Sequence, residues 1–310
     1  MNILVTGGAG YIGSVLVPKL LNKGYFVTVL DNLSFGLDGL LVNFSNKNFK
    51  LINESVYESK YIKENIEKYD FVIHLAAIVG YPACKKNSDL AVKINKDSTD
   101  QICELLTKKN IPILYASTGS NYGAVVGEIC KEETPLNPVS IYGETKTAAE
   151  NIVQNTNNYL NYRFATAFGV SPRMRLDLLI NDFVYQAIKN KNLTIYEKNF
   201  KRTFIHVLDI ADNIIFGMEN FSSLKNNVYN IGSNEMNFSK LQLADLLKKK
   251  ISFYLHYAEI GTDEDKRNYE VDYTKAINAG FETKIDIDSG LNELIRVCQH
   301  ISIQNKYSNI

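Results

Sequence analysis

The first half of the chain alternates short apolar runs with longer stretches in which apolar residues recur at helical spacing. This alternation is typical of a parallel sheet with helices on both faces, because strands buried on both faces read as continuous apolar runs. The predicted strands are residues 2–6, 26–31, 49–52, 71–75, 113–117 and 162–167. The predicted helices are residues 11–22, 59–68, 89–108 and 140–155. The pattern therefore predicts an α/β fold built on a doubly wound parallel sheet.

The pattern changes after residue 168, where the elements become shorter and are mixed with loops. No repeat or linker rich in Pro, Gly or Ser separates the two halves. We expect a domain of residues 1–168 and a smaller α/β domain formed mainly by residues 169–310, interleaved with the first.

Composition narrows the class of protein. Among the 310 residues, 34 Lys and Arg balance 34 Asp and Glu, so no net charge attracts nucleic acid or an anionic membrane. No apolar run approaches the ~18 residues of a membrane span, and the opening residues do not resemble a signal peptide. The four cysteines lack C-x-x-C spacing, which argues against disulfides and metal sites. We expect a soluble cytoplasmic protein.

A glycine-rich turn, TGGAGYIG at residues 6–13, follows the first predicted strand and opens the first predicted helix. Glycines at these positions allow a tight turn and let the backbone approach a pyrophosphate at the helix N-terminus. The strand–turn–helix context makes this a dinucleotide-binding motif. The residues predicted to contact the cofactor here are Gly7, Gly10, Tyr11, Ile12 and Gly13.

Asp31 ends the second predicted strand, eighteen residues after Gly13. A carboxylate there accepts hydrogen bonds from the adenosine ribose and repels a 2′-phosphate, so NAD is favoured over NADP. We expect the neighbouring Asn32 to contact the cofactor as well. His74, in HLAA, is interpreted as a buried structural residue. The remaining predicted cofactor contacts are the small residues Ala76 and Ala77 and, in the predicted helix 89–108, Asn95.

Three Y-x-x-x-K pairs occur, and context selects Tyr142 with Lys146. Their spacing places both side chains on one face of a predicted helix. Upstream, Thr118 follows an apolar strand, at the carboxyl edge where doubly wound sheets bind ligands. The pairs that begin at Tyr81 and Tyr185 have no such partner and are interpreted as solvated helix positions.

Tyrosine has a pKa of about 10 and needs a neighbouring positive charge to act as a base near neutral pH. Lys146 would supply that charge and bind the nicotinamide ribose, while Thr118 would orient a substrate hydroxyl. Tyr142 would then remove the hydroxyl proton as a hydride leaves the same carbon for NAD. The predicted catalytic residues are Thr118, Tyr142 and Lys146.

The motifs TGGAGYIG, DNLSFG, HLAA, STGSNYG, YGETK and RTFIHVLDIAD occur in the order found in the NAD-dependent epimerase/dehydratase family, and the chain resembles that family over essentially its whole length. The resemblance implies a Rossmann domain with tightly held NAD and a nucleotide-diphosphate sugar as substrate. It also implies a homodimer formed through the helices predicted at 89–108 and 140–155.

The chain departs from this family pattern at two positions. Family members that act as 4,6-dehydratases follow the catalytic Thr with an Asp-Glu pair, whereas Gly119 and Ser120 follow Thr118 here. Dehydration is therefore not expected. Family members often have Asn three residues after the Arg of the sixth strand, whereas Thr166 stands at that spacing from Arg163. We expect Thr166 to lie at the substrate contact.

Only six of the 34 basic residues are Arg, and the rest are Lys. In such a chain an Arg indicates a position where a planar group is needed for two-point binding, for example of a phosphate. The resemblance implies that Arg202 and Arg267 bind the substrate diphosphate. Arg173 and Arg175 follow the sixth predicted strand and could reach the substrate, and we include Arg175 among the predicted contacts. His206, between apolar residues, is interpreted as structural.

The segments SPRMRLDLLINDFV and DKRNYEV resemble a bacterial subgroup of surface-polysaccharide pathways that includes carbon-4 dehydrogenases of GDP-linked heptose. The first hypothesis is therefore NAD-dependent oxidation at carbon 4 of a nucleotide-linked hexose or heptose, with an oxidant such as 2-oxoglutarate recycling NADH. The alternative is a nucleotide-sugar 4-epimerase of the UDP-glucose/galactose type, which shares the first step. A non-catalytic NAD-binding sensor is a remote third hypothesis.

Overall fold

The computed structural model describes residues 1–258, 267–302 and 305–309. The strands are β1 (Asn2–Thr6), β2 (Phe26–Asp31), β3 (Phe49–Asn53), β4 (Phe71–His74), β5 (Ile113–Thr118), β6 (Ala124–Cys130), β7 (Tyr159–Phe164), β8 (Thr166–Phe168), β9 (Asn192–Ile195), β10 (Lys201–His206), β11 (Asn227–Ile231), β12 (Asn237–Ser239), β13 (Tyr254–Tyr257) and β14 (Asn268–Val271).

The α-helices are α1 (Gly13–Asn22), α2 (Lys60–Asn65), α3 (Tyr81–Lys86), α4 (Ser88–Val92), α5 (Ser98–Lys109), α6 (Ile141–Gln154), α7 (Leu179–Lys189), α8 (Val207–Glu219), α9 (Phe221–Leu224), α10 (Lys240–Lys248), α11 (Thr274–Asn278) and α12 (Ile287–Cys298). Short 3₁₀ segments are Asp38–Ser45, Ile66–Lys68, Gly119–Tyr122, Asn234–Met236 and Asn305–Tyr307, and Lys93–Asp97 forms a π-helix. In the part of the chain that the structure describes, no helix is both long and apolar enough to cross a bilayer.

A parallel seven-stranded sheet organises the described residues, in the order β11-β7-β5-β4-β1-β2-β3. After β1 the chain winds outward through β2 and β3, and it then returns to place β4 on the other side of β1. The predicted doubly wound Rossmann-type sheet is thus confirmed. The reversal between β1 and β4 opens a crevice at the carboxyl edge, which is where such sheets bind ligands.

The strand predicted at 162–167 is two strands. Strand β7 begins at Tyr159 and pairs with β5, whereas β8 pairs with β10 in a separate small sheet. Between them, Ala165 still donates its backbone N–H to Ile231 in β11. Nearly every residue of this stretch is buried, so burial does not mark the point where the chain leaves the large sheet.

The helix predicted at 89–108 consists of α4, the π-helical segment and α5. The π-helical turn places Asn95, which is 1% exposed, against the loop after β4. Such turns insert one residue into a helix and are frequent at functional sites. No Pro or Gly occurs between residues 89 and 108, so the sequence predicts a single helix.

The apolar core forms clusters on both faces of the large sheet and a further cluster in the second half of the chain. This further cluster packs α7, α10 and α12 around β10 and includes Phe204 and Leu294, both fully buried. The strands β8, β10 and β12 form one small sheet, β9 pairs with β13, and β6 pairs with β14. Residues of β8, β10, α7 and α8 and the start of α10 form the other wall of the crevice.

Candidate functional site

A cavity of about 740 Å³ follows the carboxyl edge of the sheet. Its walls come from the glycine-rich turn, the ends of β2, β4 and β5, the start of α6, and residues of the second half of the chain. Its lining contains every predicted site residue except Asn95: Gly7, Gly10, Tyr11, Ile12, Gly13, Asp31, Asn32, Ala76, Ala77, Thr118, Tyr142, Lys146, Thr166, Arg175, Arg202 and Arg267.

The turn between β1 and α1 fits a pyrophosphate. Gly7 has a φ of +70°, and a Cβ added to it would lie 2.6 Å from the backbone nitrogen of Ala76. A Cβ on Gly13 would lie 2.5 Å from the Cα of Gly8. Only glycine permits this packing. The backbone of the turn is therefore not covered by side chains where it lines the cavity at the start of α1. The chain's own residues therefore fit a dinucleotide at this turn.

Asp31 joins the end of β2 to that turn. Its carboxylate accepts hydrogen bonds from the backbone N–H groups of Ala9, at 3.0 Å, and Leu33, at 2.9 Å. Burial raises the pKa of Asp31, and these two donors oppose the rise. A carboxylate has about four acceptor positions, so both oxygens keep the capacity to accept a ribose hydroxyl.

Asn95 lies next to the cavity and bonds to one of the residues that line it. Its Oδ1 accepts the backbone N–H of Ile78 at 2.7 Å, and its Nδ2 donates to the Ile78 carbonyl at 3.0 Å. The same Nδ2 also donates to Thr145 of α6 at 3.1 Å. Ile78 lines the cavity. In the part of the chain that the structure describes, Asn95 therefore holds the wall segment at Ile78 in place and does not itself line the cavity. Its predicted contact with the cofactor remains a prediction.

Tyr142 and Lys146 lie in the first two turns of α6. Ser140 caps this helix by accepting the backbone N–H of Gly143 at 3.2 Å, which is why the helix begins directly before Tyr142. Burial raises the pKa of Tyr142 to about 12. The Thr118 hydroxyl and the guanidinium groups of Arg267 and Arg175 oppose this rise.

Lys146 is 2% exposed, and its ammonium lies 4.0 Å from the centre of the Tyr115 ring. Burial lowers the pKa of Lys146 to about 7, and the Glu150 carboxylate opposes the fall. The side chain therefore changes charge near neutral pH. Behind it, His74 is fixed between Thr6, at 2.6 Å, and Thr99, at 3.0 Å, in the structural position predicted for it.

Thr118 ends β5 and caps the following 3₁₀ turn. Its Oγ1 accepts the backbone N–H of Ser120 at 3.1 Å and donates to the Ser120 hydroxyl at 3.0 Å. Arg267 donates to that hydroxyl at 2.6 Å. The structure thus brings a predicted substrate-binding Arg into one hydrogen-bonded group with the predicted catalytic Thr.

The arginines of the second half occupy different parts of the cavity. Arg202 is 3% exposed. Its guanidinium lies near the start of β10 and donates to the Lys201 carbonyl at 3.0 Å. Arg175 forms a two-point ion pair with Asp177, with N–O distances of 3.2 and 2.5 Å. The cavity lining includes Arg175, Asp177, Arg202 and Thr166.

Arg173 does not lie with the predicted substrate residues. Its guanidinium stacks 4.4 Å from the centre of the Phe35 ring, in the loop after Asp31, and donates to Asn309 at 2.7 Å. Its charge also opposes the rise in the pKa of Asp31. Arg173 therefore belongs to the end of the cavity formed by the loop after β2. Sequence position alone, two residues before Arg175, could not separate the two.

The two other Tyr–Lys pairs lie in different surroundings. Tyr185 is a buried core residue of α7, so the prediction of a solvated helix position is wrong for it. Tyr81 is half-buried at the start of α3 and lines the cavity, with the Lys85 ammonium 5.4 Å from its ring.

The sequence did not single out Lys240, which also lines the cavity. Lys240, at the start of α10, is 3% exposed and donates to the Tyr196 carbonyl at 2.9 Å. A lysine in a chain so rich in Lys carries no signal in the sequence. His206 caps α8 and bonds to Glu293 at 2.7 Å, as a structural residue.

Comparison with known proteins identifies the kind of site. Residues 3–232 match the NAD dependent epimerase/dehydratase family. UDP-glucuronic acid decarboxylase 1 of Xenopus tropicalis is 30% identical, over 94% of this chain and 71% of the relative.

Two solved structures share the fold along almost the whole chain. UDP-glucuronic acid 4-epimerase from Bacillus cereus, in complex with UDP-glucuronic acid and NAD, superposes with a TM-score of 0.85 at 26% identity, over 96% of this chain and 99% of that one. UDP-glucose 4-epimerase from Thermotoga maritima, with UDP-glucose, gives a TM-score of 0.83 at 27% identity, over 96% and 98%.

Proposed function

The chain belongs to the NAD-dependent epimerase/dehydratase family, and from that premise we propose that it oxidises carbon 4 of a nucleotide-diphosphate sugar. It is an NAD-dependent enzyme. The observation that carries the proposal is one cavity in which Thr118, Tyr142 and Lys146 lie beside the glycine-rich turn and Asp31. A dinucleotide and a hydroxyl-bearing substrate can thereby meet at a single base.

The chemistry assigned to the protein's own side chains is a proton transfer. NAD, when bound, accepts a hydride from the substrate. Thr118 holds the hydroxyl on carbon 4, Tyr142 as phenolate accepts its proton, and the carbon is left as a ketone. We assign to the Lys146 ammonium the stabilisation of the phenolate. The guanidinium groups of Arg267 and Arg175 oppose the burial that raises the pKa of Tyr142.

The substrate end favours a diphosphate. Arg202 and Arg267 present planar guanidinium groups to the cavity, which suit two-point contacts with phosphate oxygens. The Bacillus cereus and Thermotoga maritima enzymes are both described with a UDP-linked sugar, which supports this substrate class. Gly119 and Ser120 stand where a dehydratase carries its acidic pair, so we assign no elimination of water.

The ketone has two fates, and different observations favour them. Release makes the protein a nucleotide-sugar 4-dehydrogenase, supported by the resemblance of residues 171–184 to enzymes of GDP-linked heptose in surface polysaccharide synthesis. This fate requires an oxidant such as 2-oxoglutarate to recycle NADH. Retention and return of the hydride to the other face makes it a 4-epimerase, which the two structural relatives support.

We propose that two copies associate through α5 and α6, next to the exposed apolar side chains of Leu90 and Val92 on the neighbouring α4. Sedimentation of the purified protein would test this: a monomer at micromolar concentration would contradict it.

A substrate panel tests the function. The purified protein would be incubated with UDP- and GDP-linked hexoses, heptoses and UDP-glucuronic acid, with and without 2-oxoglutarate, and the products read by mass spectrometry and proton NMR. A product lighter by two hydrogens identifies the dehydrogenase, and an unchanged mass with a new carbon-4 configuration identifies the epimerase. Turnover that leaves carbon 4 untouched, or that persists in Tyr142→Phe, would contradict the proposal.

A further inference from the structure

A buried carboxylate, Glu150, stands beside the site and has no part in the chemistry described above. It lies four residues after Lys146 in α6 and is 0% exposed. At this spacing the two side chains project from the same face of the helix. A carboxylate so far from water needs strong partners, because an unpaired buried charge costs several kcal/mol.

The first partner is Arg163 of β7. Its Nη2 donates to Glu150 Oε1 at 2.6 Å, and its Nε lies 3.1 Å from Oε1 and 3.2 Å from Oε2. The remaining nitrogen of Arg163 donates to the Tyr122 hydroxyl at 3.1 Å and to the Glu132 carbonyl at 2.9 Å. All three nitrogens of Arg163 thus donate hydrogen bonds, and the side chain fixes the position of the Glu150 carboxylate.

The second set of partners belongs to the strand that carries Thr118. Ser117, the preceding residue of β5, donates its hydroxyl to Glu150 Oε2 at 2.5 Å. Asn121, three residues after Thr118, donates to the same oxygen at 3.2 Å and to the Ser117 hydroxyl at 3.1 Å. Glu150 therefore bonds to residues on both sides of Thr118 and ties the end of β5 to α6.

Glu150 also acts on Lys146 by charge. The Cys84 thiol of α3 and the His74 imidazole of β4 also interact with Lys146 by charge. The Lys146 ammonium lies over the Tyr115 ring of β5. Burial raises the pKa of Cys84 to about 11 and lowers that of His74 to about 3, so both are neutral near pH 7. Of the two described groups that favour the charged form of Lys146, Glu150 has the larger effect and Cys84 the smaller.

We propose that Glu150 is a positioning residue of this site. It holds the strand end that carries Thr118 against the helix that carries Tyr142, and it keeps Lys146 in the ammonium form that the proton transfer requires. The kinetic part of this inference rests on the function proposed above, whereas the charge of Lys146 can be measured without any substrate.

The titration of Lys146 tests the proposal directly. The protein would be labelled with lysine carrying ¹³C at Cε, and the Lys146 resonance assigned with Lys146→Arg. In Glu150→Gln the midpoint of this resonance should fall by about one pH unit, because an opposite charge at close range is removed. If Glu150→Gln does not fold with Arg163 unpaired, the double variant Glu150→Gln/Arg163→Gln removes both charges and should show the same direction of shift.

A matched control separates this effect from general destabilisation. Asp209 in α8 is also buried, at 2% exposed, and accepts the backbone N–H groups of Lys284 and Ile285 at 3.0 and 3.1 Å, away from Lys146. Asp209→Asn should lower the melting temperature and leave the Lys146 midpoint unchanged. An unchanged midpoint in the folded Glu150 variants would overturn the proposal and leave Glu150 a purely structural residue.

The kinetic readout distinguishes failure of this proposal from failure of the proposed function. In Glu150→Gln the decline of kcat at high pH should move to lower pH by the same shift as the Lys146 midpoint. The KM for the nucleotide sugar should stay within about twofold, since Glu150 is not among the described residues that line the cavity. If the wild-type protein converts no nucleotide sugar, the proposed function fails while the NMR titration still decides the role of Glu150. A shifted midpoint with an unmoved pH profile of kcat would overturn the proposed role in the reaction.

Discussion

Arg267 donates a 2.6 Å hydrogen bond to the hydroxyl of Ser120, and Ser120 is in turn bonded to Thr118 through both its backbone N–H and its hydroxyl. The positive charge of Arg267 also opposes the rise in the pKa of Tyr142. A residue expected to bind the substrate diphosphate is therefore connected to both groups assigned to the proton transfer. The guanidinium of Arg202 instead donates to the Lys201 carbonyl at 3.0 Å, at the start of β10.

This difference predicts distinct kinetic effects for two conservative substitutions. Arg202→Lys should raise KM about tenfold with kcat nearly unchanged, since losing one charge-assisted contact costs about 1.5 kcal/mol. Arg267→Lys should raise KM and also lower kcat, because the contact with Ser120 is lost. Steady-state kinetics of both variants checks this, with the exposed Arg296→Lys as control. Equal effects of the first two substitutions on kcat would contradict it.

The glycine-rich turn predicts a sharp difference between two glycines with left-handed backbones. Gly7, at φ +70°, has no room for a Cβ, whereas Gly24, at φ +84°, has nothing within 4 Å. Gly7→Ala should therefore weaken NADH binding at least about a hundredfold. Gly24→Ala should keep the affinity and lower only the melting temperature. Fluorescence titration with NADH measures the affinity, and similar affinities of the two variants would refute this reading of the turn.

Asp31 is expected to decide between NAD and NADP. Asp31→Asn removes the charge that repels a 2′-phosphate. Its single acceptor oxygen keeps only one of the two backbone donors, because Ala9 and Leu33 bond to different oxygens of the carboxylate. The affinity for NADH should fall about tenfold and that for NADPH should rise, because a charged hydrogen bond to the ribose is replaced by a neutral one. Parallel titrations with both cofactors check the result, with Asp38→Asn, at an exposed carboxylate outside the cavity lining, as the control. An unchanged preference would show that Asp31 serves the turn alone.

Lys146 should make stability depend on pH in a defined direction. Its pKa falls from 10.5 to about 7 on burial, so between these values the unfolded chain binds a proton that the folded protein lacks. Stability from this group therefore rises with pH over that window, and the cost of burying the ammonium is greatest below pH 7. Lys146→Met should raise the melting temperature more at pH 6 than at pH 10, by about 3 °C or more. Scanning calorimetry at both pH values checks this, and a gain that is equal at both would contradict it.

Several parts of the fold could be predicted from the sequence because local rules determine them. The strands Asn2–Thr6 and Phe26–Asp31 have the predicted bounds, since each is an apolar run closed by a turn residue. The glycine-rich turn could be located because Gly7 and Gly13 satisfy steric needs that no other residue meets. The pair of Tyr142 and Lys146 followed from helical spacing and from the segment that caps α6.

Other features depend on contacts between distant parts of the chain, which periodicity does not encode. The position of Arg173 is set by Phe35 and Asn309, which are 138 and 136 residues away. The burial of Glu150 depends on Arg163 in β7, and the sequence shows that glutamate only as one more polar helix position. The division between β7 and β8 results from their pairing with different sheets.

A single-turnover experiment tests the central claim, oxidation at carbon 4 with Tyr142 as base. The protein loaded with NAD would be mixed with a nucleotide sugar that the panel identifies, and NADH followed by absorbance in a stopped-flow instrument. Deuterium at carbon 4 should slow the appearance of NADH, deuterium at carbon 3 should not, and Tyr142→Phe should reduce the rate by about a thousandfold, within the usual range for loss of a general base. Product formation at an unchanged rate with deuterium at carbon 4, or with Tyr142→Phe, would contradict the account.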